Sequence, residues 1–219
     1  MTPKILLAGA SGLIGSKLVK LLAGCDVELH ILTRRLLETG KAAIVQIVSD
    51  PADWPAHIAE LAPDVAISCL GTTWNKSGKS EAAFRGVDLD LVLAFAGAAK
   101  QAGARQMIAV SSVGASANSA GFYLRTKGQA EQGLADLGFD RLDILRPGLL
   151  TGERGGDRRL GERAGIMLSP FTDALLHGSL RRYRSINAAT VAGAIAQLVI
   201  AGGQGRFIHE NDAITALAG

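Results

Sequence analysis

Three glycines spaced three residues apart follow an apolar run near the amino end, and this feature constrains the fold most strongly. Residues 5–8 are apolar and lead directly into the glycines, after which apolar residues recur at helical spacing as far as Leu22. The run is typical of a buried parallel strand, and the period that follows is typical of a helix. Glycines permit a tight turn that approaches a ligand closely, and a helix start favours an anion. The segment therefore predicts a strand, a turn and a helix around the pyrophosphate of a dinucleotide.

The spacing of this turn, G-x-x-G-x-x-G, differs from the G-x-G-x-x-G of ordinary dinucleotide-binding dehydrogenases. A glycine-rich turn can also serve only as a tight connection between a strand and a helix, so the motif needs support from the rest of the chain. The residues that we predict to bind the cofactor here are Gly9, Ser11, Gly12, Leu13, Ile14 and Gly15.

Length and composition favour one globular domain over residues 1–219. The chain has 219 residues, of which 48% are hydrophobic and 20% are charged, enough for one well-buried core. A net charge of +3 gives no reason to expect nucleic-acid binding, and neither a membrane span nor a secretory signal is indicated. Two cysteines outside any C-x-x-C pair suit a reducing compartment, and we expect a cytoplasmic protein. The four histidines are far apart in sequence, so no metal site is expected.

Strand and helix patterns alternate along the chain, which predicts an α/β fold: a Rossmann-like, doubly wound parallel sheet with helices on both faces. Asn211 is expected to cap a final short helix. Residues 151–163, rich in arginine and glycine, suit a solvated loop or a lid over the site. The predicted strands after the first are residues 27–32, 43–48, 64–68, 106–110, 141–145 and 206–209, and the predicted helices include residues 81–102, short helices within 166–176, and a helix after Asn187.

The second predicted strand ends in Thr33, Arg34 and Arg35. In a nucleotide-binding sheet this position lies beside the adenosine ribose, where an acidic residue would bind a free 2′-hydroxyl. Arginine instead presents a planar cationic fork that suits a phosphate. These residues therefore predict NADP in preference to NAD, although two solvated arginines on a loop are the alternative.

Two further strand ends supply candidate cofactor contacts. Asp50 follows the third strand and could bind the adenine amino group or cap a short helix that begins near Pro51. Small residues follow the fourth strand. Ligands bind at the carboxyl ends of parallel strands, so these residues would lie along the middle of the cofactor. These residues are Cys69, Leu70, Gly71, Thr72 and Thr73. We interpret Cys69 as a packed small residue and not as a nucleophile.

The candidate catalytic residues come after the fifth strand. Ser111 and Ser112 end that strand, and Tyr123 and Lys127 are four residues apart on the next predicted helix. Side chains at this spacing are neighbours, so an ammonium near the phenol would lower its pKa. Ser112 could hydrogen-bond a substrate oxygen while Tyr123 moves a proton to or from it. The same Tyr-Lys spacing also occurs by chance on helix surfaces, which is the structural alternative.

With these motifs the chain resembles the atypical branch of the short-chain dehydrogenase/reductase superfamily, the branch that includes the Tat-interacting oxidoreductase. The motifs similar to that branch are the turn at 9–15, Cys69-Leu-Gly-Thr-Thr73, Ser111-Ser112-Val-Gly-Ala115, Phe139-Asp-Arg141 and Leu145-Arg-Pro-Gly148, together with Ser112, Tyr123 and Lys127. The resemblance implies that Pro147 and Gly148 lie beside the nicotinamide and that Lys127 holds the ribose. Extended members carry a large carboxyl-terminal substrate domain, whereas only about 70 residues remain here, which argues against nucleotide-sugar epimerisation.

Together these features predict an NADP-dependent oxidoreductase that reduces a small carbonyl or quinone-like substrate. The alternatives are a regulatory module that binds NADP without turnover and, with less support, a sugar-nucleotide epimerase. Relatives of this fold pair through the long helices after strands four and five, so a homodimer is expected by analogy.

Overall fold

A seven-stranded parallel sheet forms the centre of the protein. The computed structural model describes residues 2–39, 44–152 and 176–219. In this part of the chain the strand order is β3-β2-β1-β4-β5-β6-β9, and every neighbouring pair is parallel. The strands are β1 Lys4–Ala8, β2 Glu28–Thr33, β3 Val45–Val48, β4 Val65–Ser68, β5 Gln106–Val110, β6 Arg141–Arg146 and β9 Gly205–Glu210, with β7 Leu150–Thr151 and β8 Ile186–Asn187 forming a separate two-stranded ladder. The prediction of a Rossmann-like sheet is confirmed.

Helices cover both faces of the sheet, as alternation of strands and helices requires. They are α1 Gly15–Leu22, α2 Trp54–Leu61, α3 Glu81–Arg85, α4 Val92–Gln101, α5 Phe122–Asp136, α6 Ala188–Ile200 and α7 Asn211–Ala218. Buried residues of α1, α6 and α7 form one apolar core with the sheet, and those of α2, α4 and α5 form the other. Short 3₁₀ helices occupy Pro51–Asp53 and Gly178–Tyr183. No helix in the described ranges has the length and hydropathy to cross a bilayer.

The edge strand β9 is anchored to the sheet through a buried carboxylate. Asp143 of β6 is fully buried and accepts hydrogen bonds from His209 (2.9 Å), Gln106 (3.0 Å) and Arg141 (2.6 Å). Burial alone would raise the pKa of Asp143, but the hydrogen bonds from His209, Arg141 and Gln106 lower it below its usual value. This cluster ties the carboxyl-terminal strand to the same sheet as the amino-terminal turn.

The secondary structure departs from the sequence prediction in one helix, at one helix cap and at the start of one strand. The predicted helix over 81–102 ends at Gln101 and is interrupted by a π-helical turn over Gly86–Leu91. Asn211 does not cap the last helix: it is the first helical residue, and its side-chain amide donates to the carbonyl of Arg184. β3 starts at Val45, and its predicted first residue lies outside the described part of the chain. The loop predicted after Gly152 and most of 166–176 also lie outside it.

Candidate functional site

The glycine turn between β1 and α1 is packed too tightly for side chains at two of its three glycines. Gly9 has φ +89°, and a Cβ there would lie 2.4 Å from the carbonyl carbon of Cys69. A Cβ on Gly15 would lie 2.2 Å from the carbonyl oxygen of Gly9. At Gly12 a Cβ would lie 3.2 Å from that same oxygen, a tight contact but not an outright clash, and 3.9 Å from the carbonyl oxygen of Cys69. The turn therefore holds β1, β4 and α1 together, and Gly12 is the least crowded of its three glycines.

The start of α1 fits the pyrophosphate of a dinucleotide. Within the described residues no side chain caps this helix, and its first turn carries no acidic residue. The main-chain amides at a helix start carry partial positive charge, which favours an anion. The N–H groups of Ser16 and Lys17 already donate to the carbonyls of Gly12 and Ile14 at 3.0 Å, so it is the positive end of the helix dipole, with no acidic side chain beside it, that favours a phosphate here.

The end of β2 presents two arginines to solvent. Thr33 is buried, and its hydroxyl donates to the carbonyl of Arg35 at 2.8 Å, which folds the chain into a tight turn. Arg34 and Arg35 are exposed, and neither forms an ion pair with the described residues. Thr33 therefore has a structural role in shaping the turn, while both guanidinium groups are available to a ligand.

Asp50 acts as a helix cap. Its carboxylate accepts a hydrogen bond at 3.1 Å from the backbone N–H of Ala52 and caps the 3₁₀ helix Pro51–Asp53. Of the two roles that its position allows, capping is the one seen, and contact with adenine stays a prediction.

The small-residue loop after β4 runs beside the glycine turn. The N–H of Cys69 donates to the carbonyl of Ala8 at 2.9 Å, so the loop starts as a continuation of the β1–β4 ladder. Leu70 and Cys69 pack against the two apolar cores, and burial raises the pKa of the Cys69 thiol to about 12. A thiol with this pKa stays protonated near neutral pH, which supports the interpretation of Cys69 as a packing residue.

A buried ion pair connects this loop to the candidate catalytic helix. The ammonium of Lys127 lies 2.8 Å from one carboxylate oxygen of Asp88, and the other oxygen accepts the N–H of Thr72 at 2.7 Å. Lys127 is 7% exposed and Asp88 is 1% exposed. Gly71 lies against the pair, since a Cβ there would be 3.8 Å from the Lys127 nitrogen. Lys127 is therefore fixed beside the middle of the small-residue loop after β4.

Sequence reasoning missed Asp88, which the π-helical turn brings to this position. A π turn adds one residue to a helix and shifts the faces on its two sides relative to each other. Here it occupies Gly86–Leu91 and carries Asp88 into the interior. A buried charge needs an opposite charge, and Lys127 is the lysine that meets this need. The sequence carries no clear signal for this residue, because Asp90 lies two positions further on in the same helix and only the structure shows that Asp88 is the buried one.

Ser111 and Ser112 follow β5 in a loop that is hydrogen-bonded to the end of β6. The N–H of Ser111 donates to Leu145 at 2.7 Å, and that of Val113 donates to Pro147 at 3.0 Å. The hydroxyl of Ser112 lies 3.5 Å from the carbonyl of Val113, a long contact that leaves it free to bind a ligand. The two serines thus have different surroundings.

The hydroxyl of Ser111 points into a buried charged pair that sequence reasoning also missed. It donates to Glu131 of α5 at 2.5 Å, and Glu131 in turn accepts from Arg146 of β6 at 2.5 and 3.0 Å. Hydrogen bonding to Glu131 raises the pKa of Arg146 above its usual value. Because these residues join β5, β6 and α5, Ser111 acts as a support for the loop that carries Ser112.

Tyr123 lies on the first turn of α5 and reaches the surface. It is 44% exposed, and its ring packs edge-on against Phe84 with 5.7 Å between centroids. The Phe122 ring contacts the ring of Phe84 and also that of Trp74. In the described structure no hydrogen bond joins Tyr123 to Lys127, because the Lys127 ammonium is paired with Asp88. The two side chains share a helix face, with the phenol toward solvent and the ammonium toward the interior.

Pro147 and Gly148 follow β6 at the same edge of the sheet. Pro147 is buried, and its carbonyl accepts the Val113 N–H described above. A Cβ on Gly148 would lie 2.1 Å from the carbonyl oxygen of Arg184, so a side chain has no room there. All the strand ends that we predicted to bind the cofactor thus meet at the carboxyl edge of the sheet, where ligands bind in open α/β folds.

Comparison with known proteins identifies the family of the chain. A family described as NAD(P)H-binding matches residues 9–200. The chain belongs to this family. The protein named FMP52, mitochondrial, from Candida albicans is 35% identical over 202 residues, which cover 89% of this chain and 88% of that protein. Its namesake from Eremothecium gossypii is 40% identical over 152 residues, covering 68% of this chain and 67% of that protein.

Solved structures of NAD- and NADP-bound enzymes have this fold. The Bordetella bronchiseptica enzyme WbmH, in complex with NAD⁺, matches with a TM-score of 0.72 and 14% identity over 96% of this chain and 76% of that one. The dTDP-4-dehydrorhamnose reductase of Bacillus anthracis, in complex with NADP, matches with a TM-score of 0.68 and 16% identity over 96% and 75%. At these identities the likeness shows the fold alone.

The expectation of a cytoplasmic location is wrong. Relatives that are 35% and 40% identical and cover two thirds or more of this chain are named as mitochondrial. The expectation rested on two unpaired cysteines and on the lack of a secretory pattern. Those features separate reducing from oxidising compartments, and they do not distinguish the cytoplasm from a mitochondrion.

Proposed function

We propose that the protein is an NADP-dependent oxidoreductase of the atypical short-chain type, which reduces a small carbonyl or quinone-like substrate. The observation that carries the proposal is the arrangement of α5. Its first turn presents the Tyr123 phenol to solvent. One turn later Lys127 pairs with the buried Asp88, which also accepts the N–H of Thr72 in the small-residue loop after β4. A proton donor is thus held on the same helix that contacts the proposed nicotinamide side of the site.

The chain's own groups would have separate tasks in the reaction. NADPH, when bound, supplies the hydride that adds to the carbonyl carbon of the substrate. The Ser112 hydroxyl would donate a hydrogen bond to the substrate oxygen, and Tyr123 would give its proton to that oxygen as negative charge develops. The product is the alcohol, and the exposed phenolate recovers its proton from water. Lys127, held by Asp88, would bind the ribose hydroxyls and position the cofactor.

Turnover provides the first test. We expect Tyr123→Phe to lower NADPH consumption with a reducible carbonyl or quinone by about 10²-fold or more, because the proton donor is lost. The affinity for NADPH, measured by calorimetry, should stay within about threefold, because the ring and its packing on Phe84 remain.

The matched control is Tyr183→Phe, since the chain has only two tyrosines and both are partly exposed. Equal turnover by the wild type and Tyr123→Phe would contradict the assignment of Tyr123. Tight NADPH binding without turnover on any carbonyl or quinone of a broad panel would favour the alternative, a regulatory module that binds the cofactor.

Cofactor preference provides a second test. We propose that Arg34, with Arg35 beside it, binds the 2′-phosphate of NADP, because both guanidinium groups are exposed at the end of β2 and lack a carboxylate partner there. Arg34→Ala should weaken NADPH binding by about tenfold or more and leave NADH binding within about twofold, since a hydrogen bond to a charged group is worth roughly 1.5–3 kcal/mol.

Arg105→Ala is the control for this variant. Arg105 is an exposed arginine just before β5, at the amino-terminal ends of the strands and so on the far side of the sheet from the proposed site. If Arg34→Ala weakens both cofactors equally, the arginine does not distinguish the phosphate. If neither affinity changes, Arg34 is a solvated surface residue.

A further inference from the structure

The two edges of the sheet differ in how they are protected. At one edge β3 has four residues, of which Val45 and Val48 are also exposed, but the Gln46 side chain bonds to both the N–H and the carbonyl of Leu37 at 2.9 Å, so a neighbouring segment lies against that strand. At the other edge β9 has six residues, and its first four are exposed. Phe207 and Ile208 are 38% and 44% exposed. A long, open edge strand with exposed apolar groups is a ready template for another strand.

The backbone of β9 has free hydrogen-bonding groups along its outer side. The N–H of Gly205 donates to Asp140, which places Gly205, and alternate residues after it, toward β6. Arg206 and Ile208 therefore direct their N–H and carbonyl groups outward. Among the described residues nothing bonds to these groups.

The side chains of this strand are complementary to themselves. The sequence Arg206-Phe-Ile-His-Glu210 has opposite charges at its ends, an aromatic ring on each side of centre, and Ile208 in the middle. If a second copy pairs antiparallel about a two-fold axis at Ile208, Arg206 of each copy faces Glu210 of the other, and the two isoleucines meet. A register shifted by two residues would place Arg206 or Glu210 opposite Ile208, and one shifted by four would place Arg206 opposite Arg206 or Glu210 opposite Glu210. The charges thus select one register.

The long helices offer a poorer surface for pairing. Of the large hydrophobic residues that are exposed in the described structure, Tyr123 is the one on α4 or α5. We propose that two copies of this chain associate through β9, in antiparallel register centred on Ile208, so that their sheets join into one. The pairing that the resemblance implied, through the helices after strands four and five, lacks an apolar face of this kind.

The dissociation constant of the full chain, measured by sedimentation, tests this association. The contact is small, so we expect a dimer with a constant on the order of 10 µM. Ile208→Pro should raise the constant by about tenfold or more, because it removes an outward N–H and the apolar contact. The ladder with β6 does not use that N–H, so the melting temperature should fall by at most a few degrees.

Charge reversal provides a second, independent readout. Arg206→Glu and Glu210→Arg should each raise the dissociation constant by about tenfold, and the double variant should restore most of the wild-type affinity, because the pairs form again with opposite sign, although Glu210→Arg also removes the 3.8 Å pair of Glu210 with Arg182. The control is Glu60→Arg, an exposed charge on α2. A wild-type monomer at every concentration, or a dimer that neither Ile208→Pro nor the single reversals weaken, would overturn the proposal.

Discussion

Gly15→Ala is expected to abolish cofactor binding and to destabilise the protein. The new Cβ would lie 2.2 Å from the Gly9 carbonyl oxygen and 2.9 Å from the Ala10 Cα. Both atoms belong to the backbone of the turn, so neither can rotate away. Overpacking of this kind costs roughly 3 kcal/mol, which for a chain of this length lowers the melting temperature by about 6–12 °C. Calorimetry with NADPH and thermal unfolding followed by circular dichroism measure the two effects.

Two alanine variants separate the fold of the turn from its use as a binding site. Gly12→Ala meets the Gly9 oxygen at 3.2 Å, so the turn must shift by a few tenths of an ångström, and we expect a smaller fall in melting temperature than for Gly15→Ala together with weaker NADPH binding, because the methyl group adds bulk to the turn. Gly24→Ala has its nearest neighbour at 3.5 Å and should change neither quantity. If Gly12→Ala and Gly15→Ala both bind NADPH like the wild type, the pyrophosphate does not lie on this turn.

Lys127→Met is expected to lower the free energy of unfolding by about 3–5 kcal/mol, because it leaves the carboxylate of Asp88 buried without its partner. In the double variant Lys127→Met with Asp88→Asn, most of this loss should be recovered, since the uncompensated charge is gone. NADPH binding should remain weak in both variants if Lys127 holds the ribose. Urea unfolding and calorimetry on the wild type, the single variants and the double variant give the complete cycle.

Lys100→Met is the matched control for this cycle. Lys100 pairs with Asp140 at 3.6 Å, but both side chains are partly exposed, at 31% and 43%. Surface pairs of this kind contribute little, so stability should change by at most about 1 kcal/mol. A Lys127→Met variant as stable as Lys100→Met would show that the buried pair does not support the fold.

Local patterns in the sequence were enough to predict the frame of the molecule. β5 was predicted with its observed bounds, 106–110, because an apolar run stands between Gly103 and Ser111. The turn at Gly9 was predicted because glycine is needed where two backbone segments approach each other closely, as Gly9 and Cys69 do. Such features depend on neighbours in sequence, and the parallel sheet then follows from the alternation of strands and helices.

The buried charges of the site could not be predicted in the same way. Asp88 and Lys127 are 39 positions apart, and Glu131 and Arg146 are 15 apart, so no local period relates the members of a pair. Lys127 was placed near the Tyr123 phenol on spacing alone, whereas a carboxylate from another helix holds its ammonium. The cost of burying a charge decided the geometry, and that cost depends on tertiary packing.

The π-helical turn at Gly86–Leu91 lets one continuous helix serve two environments. Before it, Phe84 contacts the rings of Phe122 and Tyr123, and after it, Phe95 packs against Trp54 in the core. Each residue of an α-helix advances the side-chain direction by about 100°, so a single extra position re-aims everything downstream. An evolutionary deletion of one residue here would restore a regular α-helix but turn the Asp88 carboxylate away from the Lys127 ammonium. The length of this segment is therefore as constrained as its composition.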